Sequence, residues 1–341
     1  MALRVAINGF GRIGRLVLRS ALENASGKDV LADLEFVAIN DLSAPDQAAH
    51  LLKYDSVHGK VPFDVGLEGD LLLAGNQRIR VLAEREPAKL PWGELGVDIV
   101  LECTGRFNSR AAAAAHLEAG AKRVLVSAPC DGADQTVVFG VNEQTITSEH
   151  LVVSNASCTT NCLAPVAHVL NEAFGLEAGF VTTVHAYTGD QNTVDSAHKD
   201  LRRARAAAVS MIPTSTGAAR AVGKVLPALQ GKLDGTAVRV PTANVSMVDL
   251  VMTAERDITV DAVNEALRRA SENGPLKGVL AVNDEPLVSC DFNHNQASSV
   301  ADLTQTQQVG SRMVRVLSWY DNEWGFSTRM LDTALVLGRT L

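Results

Sequence analysis

The sequence contains no apolar run approaching the ~20 residues needed to span a bilayer, and its opening Leu3-Arg4-Val5-Ala6-Ile7 lacks the basic region and long apolar stretch of an export signal. Neither membrane insertion nor secretion is expected. Positive charge is also in deficit: 31 Lys and Arg stand against 39 Asp and Glu, for a formal net charge of -8. Nonspecific nucleic-acid binding depends on clustered Lys and Arg neutralising phosphates, so no nucleic-acid partner is expected. A small anionic substrate remains open where arginines gather, as at Arg202, Arg203 and Arg205, although that run also reads as a solvated helical face. Cysteine is scarce and odd in number: the five, at 103, 130, 158, 162 and 290, form no regular disulfide framework. A reducing, cytoplasmic setting fits. Repeats, low-complexity tracts and Pro/Ser-rich linkers are absent from the sequence, so two halves joined by a shared interface are expected rather than tethered modules.

What is present is globular. Hydrophobic residues make up 46% and charged residues 21%, enough to bury a core, and 341 residues suit about two domains. In the first half, short β-branched runs alternate with Ala/Leu-rich helical stretches: Arg4 to Ile7, Arg15 to Glu23, Leu34 to Ile39, then Val97 to Glu102, Ala111 to Ala119 and Arg123 to Ser127. This is the rhythm of βαβ units on a parallel sheet. Beyond residue 158 the pattern predicts longer strands at Phe180 to His185, Ala237 to Pro241 and Val245 to Thr253, with helices over Asp261 to Glu272 and Pro213 to Leu229. Gly325 to Leu341 carries apolar residues at helical spacing and is expected to return to the first domain.

The first predicted strand runs into Asn8-Gly9-Phe10-Gly11-Arg12-Ile13-Gly14 and then a helix, placing Gly9, Gly11 and Gly14 in the G-x-G-x-x-G context of a dinucleotide site. The first glycine permits the tight turn, the second lets backbone approach a pyrophosphate, and the third lets helix and strand pack closely. The helix N-terminus adds free N–H groups for the phosphates. The second strand ends at Asn40-Asp41, where an acidic side chain can hold ribose hydroxyls and repel a 2′-phosphate, favouring NAD over NADP; an N-cap or turn role is the plainer reading of Asp41. These features predict an α/β protein: a Rossmann-type doubly wound parallel sheet over residues 1–157, completed by a C-terminal helix at 322–341, plus an α+β catalytic domain with a mainly antiparallel sheet over 158–321.

Ser157-Cys158-Thr159-Thr160-Asn161-Cys162 sets a thiol between a β-like run and a helical one. A helix N-terminus lowers a thiol's pKa, and thiolate is the form that attacks carbonyls. A structural thiol, a Cys158–Cys162 disulfide and a metal site compete with this reading; no His or Cys pair lies at a metal-site spacing, and none is expected to bind metal. Cys103, Cys130, Cys162 and Cys290 read as structural fill. His185 ends an apolar strand, where side chains face a cleft, and is the candidate base; a structural histidine is the alternative. His50, His116 and His168 read as ordinary residues in helical patterns, whereas His198 and His294 stay open.

The segments Asn8 to Gly14, Ser154 to Pro165, His185 to Gln191, Pro213 to Ala219 and Trp319 to Gly325 resemble glyceraldehyde-3-phosphate dehydrogenase over essentially the whole chain. The resemblance implies phosphorylating oxidation of glyceraldehyde 3-phosphate in glycolysis or gluconeogenesis, with Cys158 as nucleophile, His185 as acid/base, and thiohemiacetal and thioester intermediates. It further implies that Thr188 and Arg239 hold the substrate phosphate and that Ser157, Thr159, Arg203, Thr216 and Gly217 hold inorganic phosphate. For NAD it adds Arg12 and Ile13 at the pyrophosphate, Arg85 and Ser127 near the adenosine and ribose portions, and Asn322 at the nicotinamide carboxamide. A homotetramer is implied as well.

Two departures from the family's usual pattern stand out. Phe326 replaces a tyrosine common after the Asn-Glu-x-Gly stretch. Ser196-Ala197 follows Asp195 where NAD-restricted members carry Leu-Pro, which predicts NAD preferred with some NADP use. Erythrose-4-phosphate dehydrogenase is the nearest enzymatic alternative, but it commonly has Glu at position 41 and a different stretch after the histidine. A catalytically silent nucleotide-binding protein would not need the set Cys158, His185, Thr188, Arg203 and Arg239.

Overall fold

The computed structural model describes residues 2–23 and 30–341. The chain forms two compact units, one of Met1–Phe139, Glu143–Ser157 and Ser327–Leu341, the other of Gly140–Asn142 and Cys158–Phe326.

The first unit is built on a nine-stranded sheet. Its order is Gln135–Thr136, Val152–Ser154, Arg123–Val126, Ile99–Glu102, Leu3–Asn8, Leu34–Asn40, Gln77–Leu82, Leu71–Ala74 and Val65–Glu68. The first seven strands pair in parallel. The two central strands bury their apolar residues completely: Val5, Ala6, Ile7, Ile99, Val100 and Leu101 have no exposed surface. The remaining two strands are antiparallel, an edge that the βαβ rhythm did not predict. The two-residue Gly75-Asn76 loop makes it, with Gly75 at φ 57°. The first helix, Arg12–Leu22, begins one residue after Gly11. The helix expected over Ala111 to Ala119 is two short ones, Arg110–Ala113 and Ala115–Glu118, parted at Ala114 where ψ is -19°. In the C-terminal segment, Thr333 Oγ1 donates to Asn155 Oδ1 at 2.8 Å and the Thr328 and Ser20 hydroxyls meet at 3.0 Å.

The second unit carries a seven-stranded sheet ordered Ile212–Ser215, Leu233–Val240, Leu176–Ala186, Ser246–Ala254, Met313–Tyr320, Ser299–Val309 and Leu280–Asn283. It is mainly antiparallel, with parallel pairing between Leu176–Ala186 and Leu233–Val240 and between Leu280–Asn283 and Ser299–Val309. Helices Cys158–Phe174 and Val260–Glu272 both belong to this unit.

The helix predicted over Pro213 to Leu229 is corrected. Ile212–Ser215 is an edge strand, where proline's missing N–H is tolerated, and the helix is confined to Ala218–Val225. Arg202, Arg203 and Arg205 lie in turns rather than on a helical face, with Arg203 bound to Asp190 and Arg205 to Asp195. Cys290 is exposed, so structural fill does not describe it.

Candidate active site

In the first unit the chain winds outward from Leu3–Asn8 to one side of the sheet and then, through Ile99–Glu102, to the other. Ligands of open α/β sheets bind at the carboxyl ends of strands at such a switch point. A cavity of about 580 Å³ lies there, lined from the expected set by Asn8, Gly9, Gly11, Asp41 and Arg85. Gly9 turns at φ 92°, and a Cβ on it would come 2.6 Å from the Thr104 nitrogen. A Cβ on Gly14 would collide with the Gly9 carbonyl, so close packing of helix on turn needs that glycine. At Gly11 a Cβ would meet nothing within 4 Å: the backbone there faces open space that a pyrophosphate can enter.

Asp41 accepts hydrogen bonds from Phe10 N at 2.7 Å and from Ser43 N and Oγ at 2.9 and 2.7 Å. Burial pushes its carboxyl up, but the Ser43 and Phe10 bonds and the Arg15 charge prevail and hold it below the usual range. An ionised Asp41 on the cavity wall fits ribose hydroxyls. Of the other expected residues, Arg12 is tied to Asp55, Ile13 is half-buried, and the Ser127 hydroxyl bonds Cys103; none of the three lines the cavity. Glu84, Thr104, Arg106 and Phe107 do line it and were not anticipated. The sequence signal that could have found Thr104 is its place just past the carboxyl end of a buried strand.

In the second unit Cys158 is the first residue of a 17-residue helix, entered from Ala156 at φ 56°, a left-handed conformation uncommon for a residue with a Cβ. His185 and Arg239 occupy partner positions on the parallel strands Leu176–Ala186 and Leu233–Val240, so their side chains lie side by side on one face. Cys158 Sγ is 3.6 Å from His185 Nε2. His185 Nδ1 is 2.7 Å from the Ala186 carbonyl, which also accepts from Arg239 Nη1 at 2.9 Å. Tyr320, not anticipated, presents its ring edge-on to His185 at 5.9 Å, and its hydroxyl is 2.8 Å from Thr159 Oγ1 and 3.0 Å from Thr183 Oγ1.

Burial pushes the Cys158 thiol up despite Arg239 and the Thr159 hydroxyl and backbone N–H. It pushes the His185 imidazole down to about 3, with Arg239 acting in the same direction. The backbone N–H groups of Cys158 and Thr159 at the helix N-terminus do lower the thiol, as expected from sequence, but burial outweighs them. A lone thiolate or a lone imidazolium is disfavoured here, whereas proton transfer from Sγ to Nε2 keeps the pair neutral overall and leaves the thiolate near Arg239.

Arg239 Nη1 also lies 3.4 Å from Thr188 Oγ1, which brings two of the expected anion-binding residues together. Arg203 donates to Thr214 Oγ1 at 3.0 Å and to Asp190 at 2.5 Å, and its charge weighs against protonating His185. Thr216 Oγ1 accepts from Ala218 N at 3.2 Å, and Gly217 is the N-cap of Ala218–Val225. Asn322 Oδ1 accepts from Ser246 Oγ at 2.8 Å. Ser157 ends the Glu143–Ser157 segment of the first unit and is half-buried. His116 is a core residue, His198 contacts Asp190 at 3.5 Å, and His294 stacks on Trp324 at 3.5 Å. Among the described residues no group of three His, Cys, Asp or Glu could hold a metal ion.

The cradle of the first unit is that of an NAD-dependent oxidoreductase, and the second unit holds a thiol beside a histidine. Residues 3–110 match the family model for the glyceraldehyde 3-phosphate dehydrogenase NAD binding domain, and residues 157–322 match that for its C-terminal domain. The chain is 62% identical over 339 residues to glyceraldehyde-3-phosphate dehydrogenase of Xanthobacter flavus, covering 99% of each, and 62% over 341 residues to that of Cereibacter sphaeroides, covering 100% of each. Against the enzyme of Geobacillus stearothermophilus it is 56% identical over 335 residues, 98% of each. The chain belongs to the glyceraldehyde-3-phosphate dehydrogenase family.

Proposed function

We propose that the protein oxidises D-glyceraldehyde 3-phosphate to 1,3-bisphosphoglycerate with inorganic phosphate and NAD, Cys158 being the nucleophile and His185 the acid/base. The observation that carries this is the 3.6 Å approach of Sγ to Nε2, with Nδ1 facing away toward the Ala186 carbonyl at 2.7 Å. Sγ bonds to the aldehyde carbon while Nε2 hands a proton to the carbonyl oxygen, giving a thiohemiacetal; the Cys158 backbone N–H, at the helix N-terminus, stabilises the developing oxyanion. Nε2 then takes the hydroxyl proton back as the C–H bond breaks. The chemistry NAD supplies when bound is acceptance of the hydride. A phosphate oxygen attacks the resulting thioester, the C–S bond breaks, and the acyl phosphate leaves with Cys158 restored as thiolate beside protonated His185.

Thr188 and Arg239 are assigned to the substrate phosphate, supported by their contact at 3.4 Å. Ser157, Thr159, Arg203, Thr216 and Gly217 are assigned to the attacking phosphate. For the cofactor, Gly9, Gly11 and Gly14 shape the cradle, Asn8, Arg12, Ile13, Arg85 and Ser127 support it, Asp41 holds ribose, and Asn322 holds the carboxamide. Ser196 and Ala197 are exposed, which supports some use of NADP beside preferred NAD. The apolar side chains of Val194, Leu201, Val209 and Met211 are 70%, 83%, 75% and 74% exposed, and that exposure supports assembly with further copies of the chain, as a homotetramer. No helix among the described residues is long and apolar enough to cross a membrane, and a cytoplasmic location completes the reading.

Initial rates with glyceraldehyde 3-phosphate and erythrose 4-phosphate, with and without inorganic phosphate, test the proposal. Fast phosphate-dependent turnover of the triose is expected; turnover of the tetrose alone, or of neither, overturns it.

A further inference from the structure

Glu102 ends the buried strand Ile99–Glu102 with only 1% of its surface exposed, and among the described residues no Lys or Arg pairs with it. A buried carboxylate is costly unless every lone pair is met. Here they are met by four donors. Oε1 accepts from the Thr104 backbone N–H at 2.8 Å and from the Thr104 hydroxyl, and Oε2 accepts from Asn8 Nδ2 at 2.6 Å and His116 Nε2 at 3.0 Å. The histidine's tautomer is set from behind: Trp92 Nε1, which can only donate, bonds His116 Nδ1 at 3.0 Å, so the ring proton sits on Nε2.

The chain continues forward. Asn8 Oδ1 accepts from Asn40 Nδ2 at 2.7 Å, and the Asn40 amide pairs with the Glu84 backbone, Nδ2 to O and N to Oδ1, both at 2.8 Å. Each donor direction is dictated by the one before it. The series starts at Trp92 and His116, neither of which has exposed surface, and ends on Asn8, Asn40, Glu84 and Thr104, all of which line the dinucleotide cavity. It ties together the carboxyl ends of three adjacent strands and the segment that carries Arg85.

We propose that Glu102, with its proton-bearing partner His116, is a positioning residue for the dinucleotide pocket: it fixes the amide orientations of Asn8 and Asn40 and the backbone at Thr104 and Glu84 before cofactor arrives. The inference rests on the cofactor reading above and extends it to residues that do not themselves face the ligand. Only an acceptor-only group fits among the four donors. A Gln of the same size must turn its NH2 toward two of them, and His116 cannot compensate by shifting its proton while Trp92 donates to Nδ1.

The test compares wild type, Glu102→Gln and Trp92→Phe in steady-state assays with NAD varied, and in calorimetric titration with NAD. For Glu102→Gln, losing well-made hydrogen bonds at one carboxylate raises both the KM and the Kd for NAD by about tenfold or more. The kcat at saturating NAD and the KM for the aldehyde stay near wild type. Trp92→Phe, which keeps a ring but frees the tautomer, shifts the same two constants in the same direction by a smaller factor. Folded variants with unchanged NAD constants, or variants that only melt earlier, overturn the inference; if Glu102→Gln does not fold, Trp92→Phe decides alone. Wild type that fails to reduce NAD would instead overturn the cofactor reading.

Discussion

The Nδ1 atom of His185 lies 2.7 Å from the carbonyl oxygen of Ala186 and 3.0 Å from Arg239 Nη1; with the ring proton on Nδ1 and directed at the nearer carbonyl, Nε2 turns its lone pair toward Cys158. The Ala186 peptide is itself held, its N–H donating to Ser246 Oγ at 3.0 Å. Replacing His185 with Asn should therefore remove acid/base chemistry and lower kcat by about 10²–10⁴, while NAD binding by calorimetry stays close to wild type. A kcat within threefold of wild type would remove His185 from the mechanism.

The two groups should ionise together or not at all. In Cys158→Ala the imidazole loses its thiol partner but keeps its burial and Arg239, so His185 should titrate in NMR well below 6.5, toward about 3. The unfolded imidazole takes its proton near 6.5, so the stability this group contributes is complete above that pH. It falls as pH drops toward the folded value, by about 1.4 kcal/mol per pH unit in between. A midpoint at or above 6.5 would contradict the account of the site.

Arg239 serves the substrate phosphate in the proposed mechanism, so its loss should be felt by phosphorylated substrate above all. For Arg239→Leu, kcat/KM for glyceraldehyde 3-phosphate should fall by about 10- to 100-fold, the effect of a hydrogen bond to a charged group. The value for unphosphorylated glyceraldehyde should fall much less. Equal losses for the two would mean that Arg239 acts only by holding the Ala186 carbonyl.

In the proposed reading, cofactor choice rests on two positions. Asp41→Ala removes the carboxylate from the cavity wall and should raise the ratio of NADP to NAD specificity constants, whereas Ser196→Ala should lower it. Ratios unchanged in both variants would separate cofactor choice from these side chains.

Local chemistry was the legible part of this sequence. The glycine turn and the thiol heading a helix each occupy a few consecutive residues whose requirements can be read directly. The partnership of His185 with Arg239 was not legible as geometry, because the register of two parallel strands 54 residues apart depends on the pairing of the whole sheet. Glu102 and His116 were invisible for a related reason. One looked like the end of a strand and the other like an ordinary helical histidine, and only packing shows that they meet. Pro213 misled in the opposite direction, since helical spacing downstream masked an edge strand that tolerates proline. The hairpin around Gly75 had a turn signal of its own, but nothing nearby indicated that it would extend a parallel sheet.

The shared register of His185 and Arg239 also makes the sheet a measuring device. Neighbouring strands stand ~4.8 Å apart, and that spacing is kept by a ladder of backbone hydrogen bonds along the Gly179 to Ala186 pairing, not by flexible side chains. On the proposed roles, the gap between proton acceptor and phosphate anchor is thus built into the main chain. An aldehyde with one carbon more between its reacting end and its phosphate would have to buckle to reach both, so a preference for three carbons over four can be set by length alone.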